Sequence, residues 1–415
     1  MFKYTIDVIV KLISMMLILG MMFSYVKMSY EKKGQKIFQI GIIAGIAAAA
    51  VMSFMKNATN KIDTSYWNFR IFLISLIGFA AWIVFTALGK KMGKGKDILA
   101  SAALTLVAFM LLFYCLPDFI AYPYSLYVSE TTVFTSSYII KLGGVILGFI
   151  LVLVAGFAAN RGAAKLSKNT VFLFILLTLG VNEFKQVTLL FNIMISKRMI
   201  ESNHILFNLV KFGNNYSNLF IYLVLIITAI ISVILCVRSA HVNEPYANPA
   251  EHRKIKAKWR NIRRWAAAAF ITTALAIFFM TAVDSIVNKA VELSPTEDAE
   301  ERDGAIYVSF DQVSDGHLHR FGYTTENGVQ VRFIVIQKPD STAYGVGMDA
   351  CDICGETGYY EKNGQVVCNR CDVVMNINTI GFKGGCNPKV IEYTVEDGYI
   401  IVPTEGLEAY ESDFA

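Results

Sequence analysis

Along the first 285 residues, long apolar stretches alternate with short polar breaks. The stretches lie near residues 8–26, 37–55, 71–89, 98–116, 134–158, 171–195, 217–236 and 265–283. Each is long enough as a helix to cross roughly 30 Å of hydrocarbon. The pattern therefore predicts an α-helical polytopic membrane protein of about eight transmembrane helices. After Val283 the period changes. Residues 286–304 are acidic and contain Pro295, which predicts a linker. Short β-branched and aromatic stretches follow at 305–310, 318–324, 329–337, 343–348, 365–368, 389–395 and 398–402. Turn pairs bound them, among them Asp315-Gly316, Asn327-Gly328, Asn363-Gly364 and Asp397-Gly398. The expected division is thus a helical domain over 1–285, a linker over 286–304 and a small β-rich domain over 305–415.

Composition agrees with this class: 55% of residues are hydrophobic and 17% charged. Lysine and arginine collect in alternate connections, at 27–36, 90–96, 161–168 and 238–264, whereas the loop at 117–132 has neither. Cytoplasmic loops retain such charges, so both termini are expected outside the cytoplasm, with the C-terminal domain extracytoplasmic on the cytoplasmic membrane. Beside a membrane helix, topology and anionic lipid account for the basic run at 253–264, and the expected partner is the bilayer rather than nucleic acid.

Ionisable groups within hydrocarbon are costly and point to function or to a partner helix. The sixth stretch carries Asn182, Glu183, Lys185 and Gln186 at its middle. Glu183 and Lys185 are candidates for a membrane relay of protons or cations. The alternative is that they face a neighbouring helix or a break open to water. Cys115 and Cys236 lie in apolar helices, where cysteine packs as a small hydrophobe.

The densest chemistry lies in the tail, where five of the seven cysteines fall within 36 residues. Cys351-x2-Cys354 and Cys368-x2-Cys371 are separated by thirteen residues that include Asn363-Gly364, and Cys386 follows in a glycine-rich turn. Each short knuckle aims two sulfurs at one point, and a hairpin between the knuckles brings the pairs together. Two disulfides are the structural alternative in an exported domain, but five thiols cannot all pair internally. Spacing does not choose among zinc, iron and an iron–sulfur cluster. Cys386 is a candidate fifth ligand or a free thiol. His317 and His319 form a His-x-His pair, of which His319 is the candidate metal ligand. Met348 and Met375 flank the cysteines as gap fillers or soft copper ligands.

At these residues the chain resembles the FtrD-like iron–sulfur-containing membrane proteins. The resemblance runs through Asp315-Gly316-His317-Leu318-His319-Arg320-Phe321, Val331-Arg332-Phe333 and Asp349-Ala350-Cys351-Asp352-Ile353-Cys354-Gly355. It continues through Gly358-Tyr359, Val367-Cys368-Asn369-Arg370-Cys371, Asn376–Gly381 and Gly384–Pro388. It implies that Cys351, Cys354, Cys368 and Cys371, with Cys386 as a fifth, hold an iron–sulfur cluster or iron. It also implies partners: an iron permease and an exported iron-binding protein of a bacterial iron-uptake system. No permease-type Arg-x-x-x-Glu helix motif accompanies it.

The leading expectation is a membrane-anchored iron–sulfur or metal-binding protein that assists iron import by electron transfer or metal handling at the outer face. Two alternatives stand beside it. One is a transmembrane thiol-disulfide oxidoreductase, for which the bundle offers only Cys115 and Cys236 as relays. The other is a structural zinc ribbon that mediates protein contact.

Overall fold

A computed structural model describes residues 1–59, 62–87, 95–128, 136–201, 203–240, 244–287, 292–339, 341–352, 354–362, 364–370, 373–382 and 387–414. The chain divides into two units, Met1–Asn288 and Lys289–Ala415.

The first unit is helical: α1 (Phe2–Ser29), α2 (Lys32–Ala58), α3 (Thr64–Ala87), α4 (Gly95–Ile120), α5 (Tyr122–Val128), α6 (Ser136–Ala163), α7 (Lys168–Ser196), α8 (His204–Asn215), α9 (Ser217–Ala240), α10 (Pro249–Phe278) and α11 (Asp284–Val287). Among the described residues, eight helices are long and apolar enough to cross a membrane, and they coincide with the eight apolar stretches of the sequence. Local chemistry sets several of the starts. Ser167, Asn203 and Asn248 accept hydrogen bonds from the amides of Thr170, Leu206 and Glu251, capping α7, α8 and α10. Pro249 occupies the first turn of α10, where its missing N–H costs nothing.

The basic run at 253–264 differs from its reading as a connection, because it forms the first turns of α10. Lysine and arginine are good helix formers, and nothing after Pro249 breaks the backbone. Arg263 reaches across to the Ser239 carbonyl at 2.8 Å and satisfies the end of α9. Further along, Phe279–Val283 widens into a π-helical turn, and the Met280 carbonyl accepts a bond from the Tyr222 hydroxyl at 3.0 Å.

Of the eight spans α1 is the most buried, and it lies against α6. A row of glycines makes this approach possible. A Cβ at Gly144, Gly148 or Gly156 would press on Met1, Thr5 and Met16 in turn, and one at Gly20 would collide with the Gly156 carbonyl. Contacts that advance together along both chains mean that α1 and α6 run parallel. Lipid tails supply no hydrophobic drive between helices, so close packing of small residues does this work. Ile40, Ile43 and Phe54 of α2 face outward, as a lipid-facing surface requires.

Among the described residues the second unit holds three antiparallel sheets. Strands β1 (Glu300–Arg302), β2 (Ala305–Ser309), β9 (Tyr399–Pro403) and β8 (Thr394–Glu396) form one, in the order β1-β2-β9-β8. Strands β3 (His319–Thr324), β4 (Gln330–Gln337) and β5 (Tyr344–Met348) form the second, and β6 (Tyr359–Lys362) with β7 (Gln365–Cys368) the third. Short helices α12 (Phe310–Val313), α13 (Thr404–Glu408) and α14 (Glu411–Phe414) close the ends.

Strand β4 places the site. Because successive side chains point to opposite faces, Phe333 and Val335 join one core with Ile306, Val308, Val346 and Ile400. Ile334 and Ile336 join another with Cys351, Cys354, Cys368 and Met375. The three-stranded sheet therefore separates an ordinary β core from a cysteine-lined one. Met348 belongs to the first core and Met375 to the second.

Three expectations shift. Residues 286–304 are not all linker: Glu297 bridges Phe321, and Glu300–Arg302 pairs with β2 as an edge strand. The tight turn at Asp303-Gly304, with φ of 52° and 72°, returns the chain into β2 and makes that pairing local. Residues 389–393 carry no ladder; instead the Lys389 backbone exchanges hydrogen bonds with Met348 and Ala350. Finally, Asp315-Gly316 follows α12 and leads into β3 rather than joining two strands.

Candidate metal centre

Strand β5 ends at Met348, and the next residues turn the chain into the first knuckle. Cys351 and Gly355 exchange backbone hydrogen bonds at 3.2 and 3.0 Å, and the Cys354 amide donates to the Cys351 sulfur at 3.1 Å. The second knuckle leaves the end of β7, where Cys368 stands opposite Tyr359. The Sγ atoms of Cys351, Cys354 and Cys368 lie within 4.8 Å of one another, and all three residues are buried. Among the described residues no disulfide links the three to one another. Cys371 and Cys386, the other expected ligands, lie outside the described residues, as does Asn363 of the hairpin turn.

The protein's own hydrogen bonds hold the knuckles together. The Asn369 amide donates to Gly358 at 3.0 Å, its side chain to Thr357 at 3.2 Å, and Arg370 to the Cys354 carbonyl at 3.4 Å. After Cys386, the Lys389 amide donates to the Ala350 carbonyl at 2.9 Å, so the chain leaving Cys386 runs beside the first knuckle. A Cβ at Gly347 would come within 2.7 Å of Pro388. This close approach explains Gly347, and a Cβ at Gly345 would likewise press on Ile380 at 3.0 Å.

Behind the knuckles is a frame that sequence reasoning missed. Arg320 and Asp349 are 1% and 0% exposed in their side chains and pair at 2.8 Å. The other Asp349 oxygen accepts the Tyr359 amide at 2.9 Å. Arg320 also donates to the Ser294 carbonyl at 2.7 Å and to the Tyr359 carbonyl. Asp349, two residues before Cys351, is thereby fixed to β3 and β6 at once. Gly358, at φ +75°, packs so closely on this carboxylate that a Cβ would sit 2.8 Å from it. Tyr359 itself is buried and hydrogen-bonded to Cys351. Burial first, and then the neighbouring thiols of Cys351 and Cys368, raise its phenol above the ordinary range. It stays a neutral hydrogen-bond donor beside the sulfurs.

The histidines stand apart from the thiols. His319 has Nδ1 at 2.9 Å from Glu297 and Nε2 at 2.8 Å from Asp315, so carboxylates engage both ring nitrogens. His317 precedes the strand, is exposed, and meets Glu361 at 3.0 Å. The two imidazoles do not converge as a His-x-His pair on one strand would.

The donor set fits a thiolate-bound metal or cluster: three buried thiols converge in an apolar pocket of Ile334, Ile336, Val366 and Ile380. Buried thiolates need positive charge at their centre, and a metal ion supplies it.

In the bundle α7 is continuous through its polar residues, which sets aside the expected break. Glu183 is 3% exposed and accepts a hydrogen bond from Ser75 of α3 at 2.8 Å, while its other oxygen has no hydrogen-bond partner among the described residues. The Gln186 carbonyl oxygen is likewise buried and unpaired. Lys185, two positions from Glu183, points to a different face of the helix. It lines a cavity of about 280 Å³ with Lys11, Lys56, Asp118, Asn68 and Gln186. Cys115 lines the same cavity; Cys236 packs against the bundle core.

Compared with known families, residues 313–414 match the family described as "Membrane iron-sulfur containing protein FtrD-like". The match spans the thiol cluster and most of the frame around it. Neither the curated proteins nor the solved structures give a significant match to the chain.

Proposed function

We propose that this multi-pass membrane protein carries an iron–sulfur cluster or iron on Cys351, Cys354, Cys368 and Cys371, and that it assists iron import. The observation that carries the reading is the convergence of three buried thiols inside the segment that matches an iron–sulfur family. The bound group would supply one-electron chemistry or a holding site for iron. This chain's residues do the rest. The Cys354 amide and the Tyr359 hydroxyl spread charge away from the Cys351 sulfur, hydrogen bonds of the kind that tune reduction potential. The apolar wall of Ile334, Ile336 and Val366 excludes water. Cys386 is positioned in sequence as an additional ligand.

In this reading the alternating basic loops put the C-terminal domain outside the cytoplasmic membrane, where it meets an exported iron-binding protein and an iron permease. A C-terminal reporter fusion then reads outside the cytoplasm and one near Arg253 reads inside.

The test is purification without oxygen, followed by metal analysis and visible and paramagnetic-resonance spectra. Stoichiometric iron, lost in Cys354→Ser and Cys371→Ser, is expected. Protein free of transition metal would end the reading, and zinc without a redox response would transfer it to a structural ribbon.

A further inference from the structure

At the opposite ends of α1 and α6 from Met1 and Gly144, the helices diverge past Gly20 and leave a cavity of about 690 Å³ against the start of α2. Lys27, Arg161 and Lys165 line it, together with the amides of Gln39 and Asn160, and no acidic residue does so among the described residues. None of the three cations has an ion pair or side-chain hydrogen bond among the described residues; Arg161 stacks 5.9 Å from the Trp265 ring. Ser24, 3% exposed, also lines the cavity, and its hydroxyl has no hydrogen-bond partner among the described residues.

Cations near helix ends commonly serve the last carbonyls. Here other groups do so. The Gln35 amide donates to the Lys27 and Tyr30 carbonyls at 3.3 and 2.8 Å. Backbone amides of residues 164–166 cover Asn160, Gly162 and Ala163 at the end of α6. The three charges are therefore not committed to the fold, and they surround a space too large for a single monatomic anion.

We infer that this cavity binds a phosphate group. A guanidinium fork, two ammonium point charges and neutral amide donors match several oxygens of one phosphate better than they match a single carboxylate. The phosphate can belong to an anionic lipid headgroup or to a soluble phosphate. Basic pockets between membrane helices are suited to the first, and the test separates the two.

The experiment uses the full chain in a neutral detergent. Thermal unfolding and native mass spectrometry are run with phosphatidylglycerol, with phosphatidylcholine and with pyrophosphate. Binding of phosphatidylglycerol but not phosphatidylcholine assigns a lipid headgroup, and binding of pyrophosphate assigns a soluble ligand. The triple change Lys27→Gln, Arg161→Gln, Lys165→Gln should weaken whichever binds by roughly tenfold or more. Lys32→Gln, Lys33→Gln, Lys36→Gln removes equal charge from exposed positions beside the cavity, and it should leave binding unchanged. Gln39→Glu, at the exposed rim, keeps the fold and should also weaken binding. The inference falls if neither phosphate probe binds, if the two triple variants weaken alike, or if Gln39→Glu binds as tightly as wild type.

Discussion

Both units of the protein bury a carboxylate, and they treat it differently. In the β-rich unit, Asp349 is fully enclosed and both oxygens are used, by Arg320, by Arg332 at 3.3 Å and by the Tyr359 amide. In the bundle, Glu183 and Gln186 are almost as enclosed, yet each keeps an oxygen without a partner. A satisfied buried network specifies one arrangement, whereas an unsatisfied group costs stability wherever it stands. The contrast assigns a scaffold role to the first. It leaves the second as a buried carboxylate and amide whose cost the bundle's own hydrogen bonds do not offset among the described residues.

The sharpest way to break the comparison is to strip the scaffold. Asp349→Ala leaves the Arg320 guanidinium buried without its carboxylate, a loss of about 3–5 kcal/mol. The expected outcome is a C-terminal domain that is digested by protease and retains no metal. Arg320→Met with Asp349→Leu removes both charges and should recover much of the protease resistance. If Asp349→Ala were as resistant as wild type, the frame would not be what holds the knuckles.

Next comes the unsatisfied side. Glu183→Gln keeps shape and loses charge, so protein abundance should remain normal while iron-dependent growth is abolished. Ser75→Ala removes only the bond to the paired oxygen and should be milder. Normal iron uptake in Glu183→Gln would reduce Glu183 to a packing residue.

The Glu183 site joins α7 to α3 and so depends on helix packing, which gives a smaller test confined to the bundle. Gly20→Val pushes a side chain into the Gly156 backbone. Overpacking of this kind costs roughly 1–3 kcal/mol. The unfolding midpoint in detergent should fall, with the β-rich unit still protease-resistant.

What the sequence made legible follows from what each signal reports. Apolar runs report lipid contact, so the eight spans stood out, but the basic start of α10 did not, because backbone helicity there is independent of hydropathy. Cysteine spacing reports local knuckle geometry, and the three described thiols do converge. The burial of Arg320 depends on Asp349, 29 positions away, and no local pattern encodes that pair. Strand β1 was hidden for a related reason: Glu300 and Glu301 have weak strand preference, and their pairing comes from the turn that follows.

The smallest expected effect lies at the edge of the soluble frame, where His317 and Glu361 form an exposed pair at 3.0 Å. The hydrogen bond to Glu361, and then its charge and that of Asp315, raise the His317 imidazole above its ordinary 6.5. A raised basic group stabilises the fold fully below the unfolded value and loses that contribution as pH rises through the folded one. The pair should therefore help slightly in mildly acidic solution and not at all in alkaline solution. Water screens both partners, so the change in unfolding midpoint should be small. Following the His317 ring protons by NMR gives the direct check. The titration should lie above that of a free histidine and move down in Glu361→Gln. An unchanged titration in that variant would detach His317 from the frame and leave Arg320, Asp349 and Tyr359 as its whole extent.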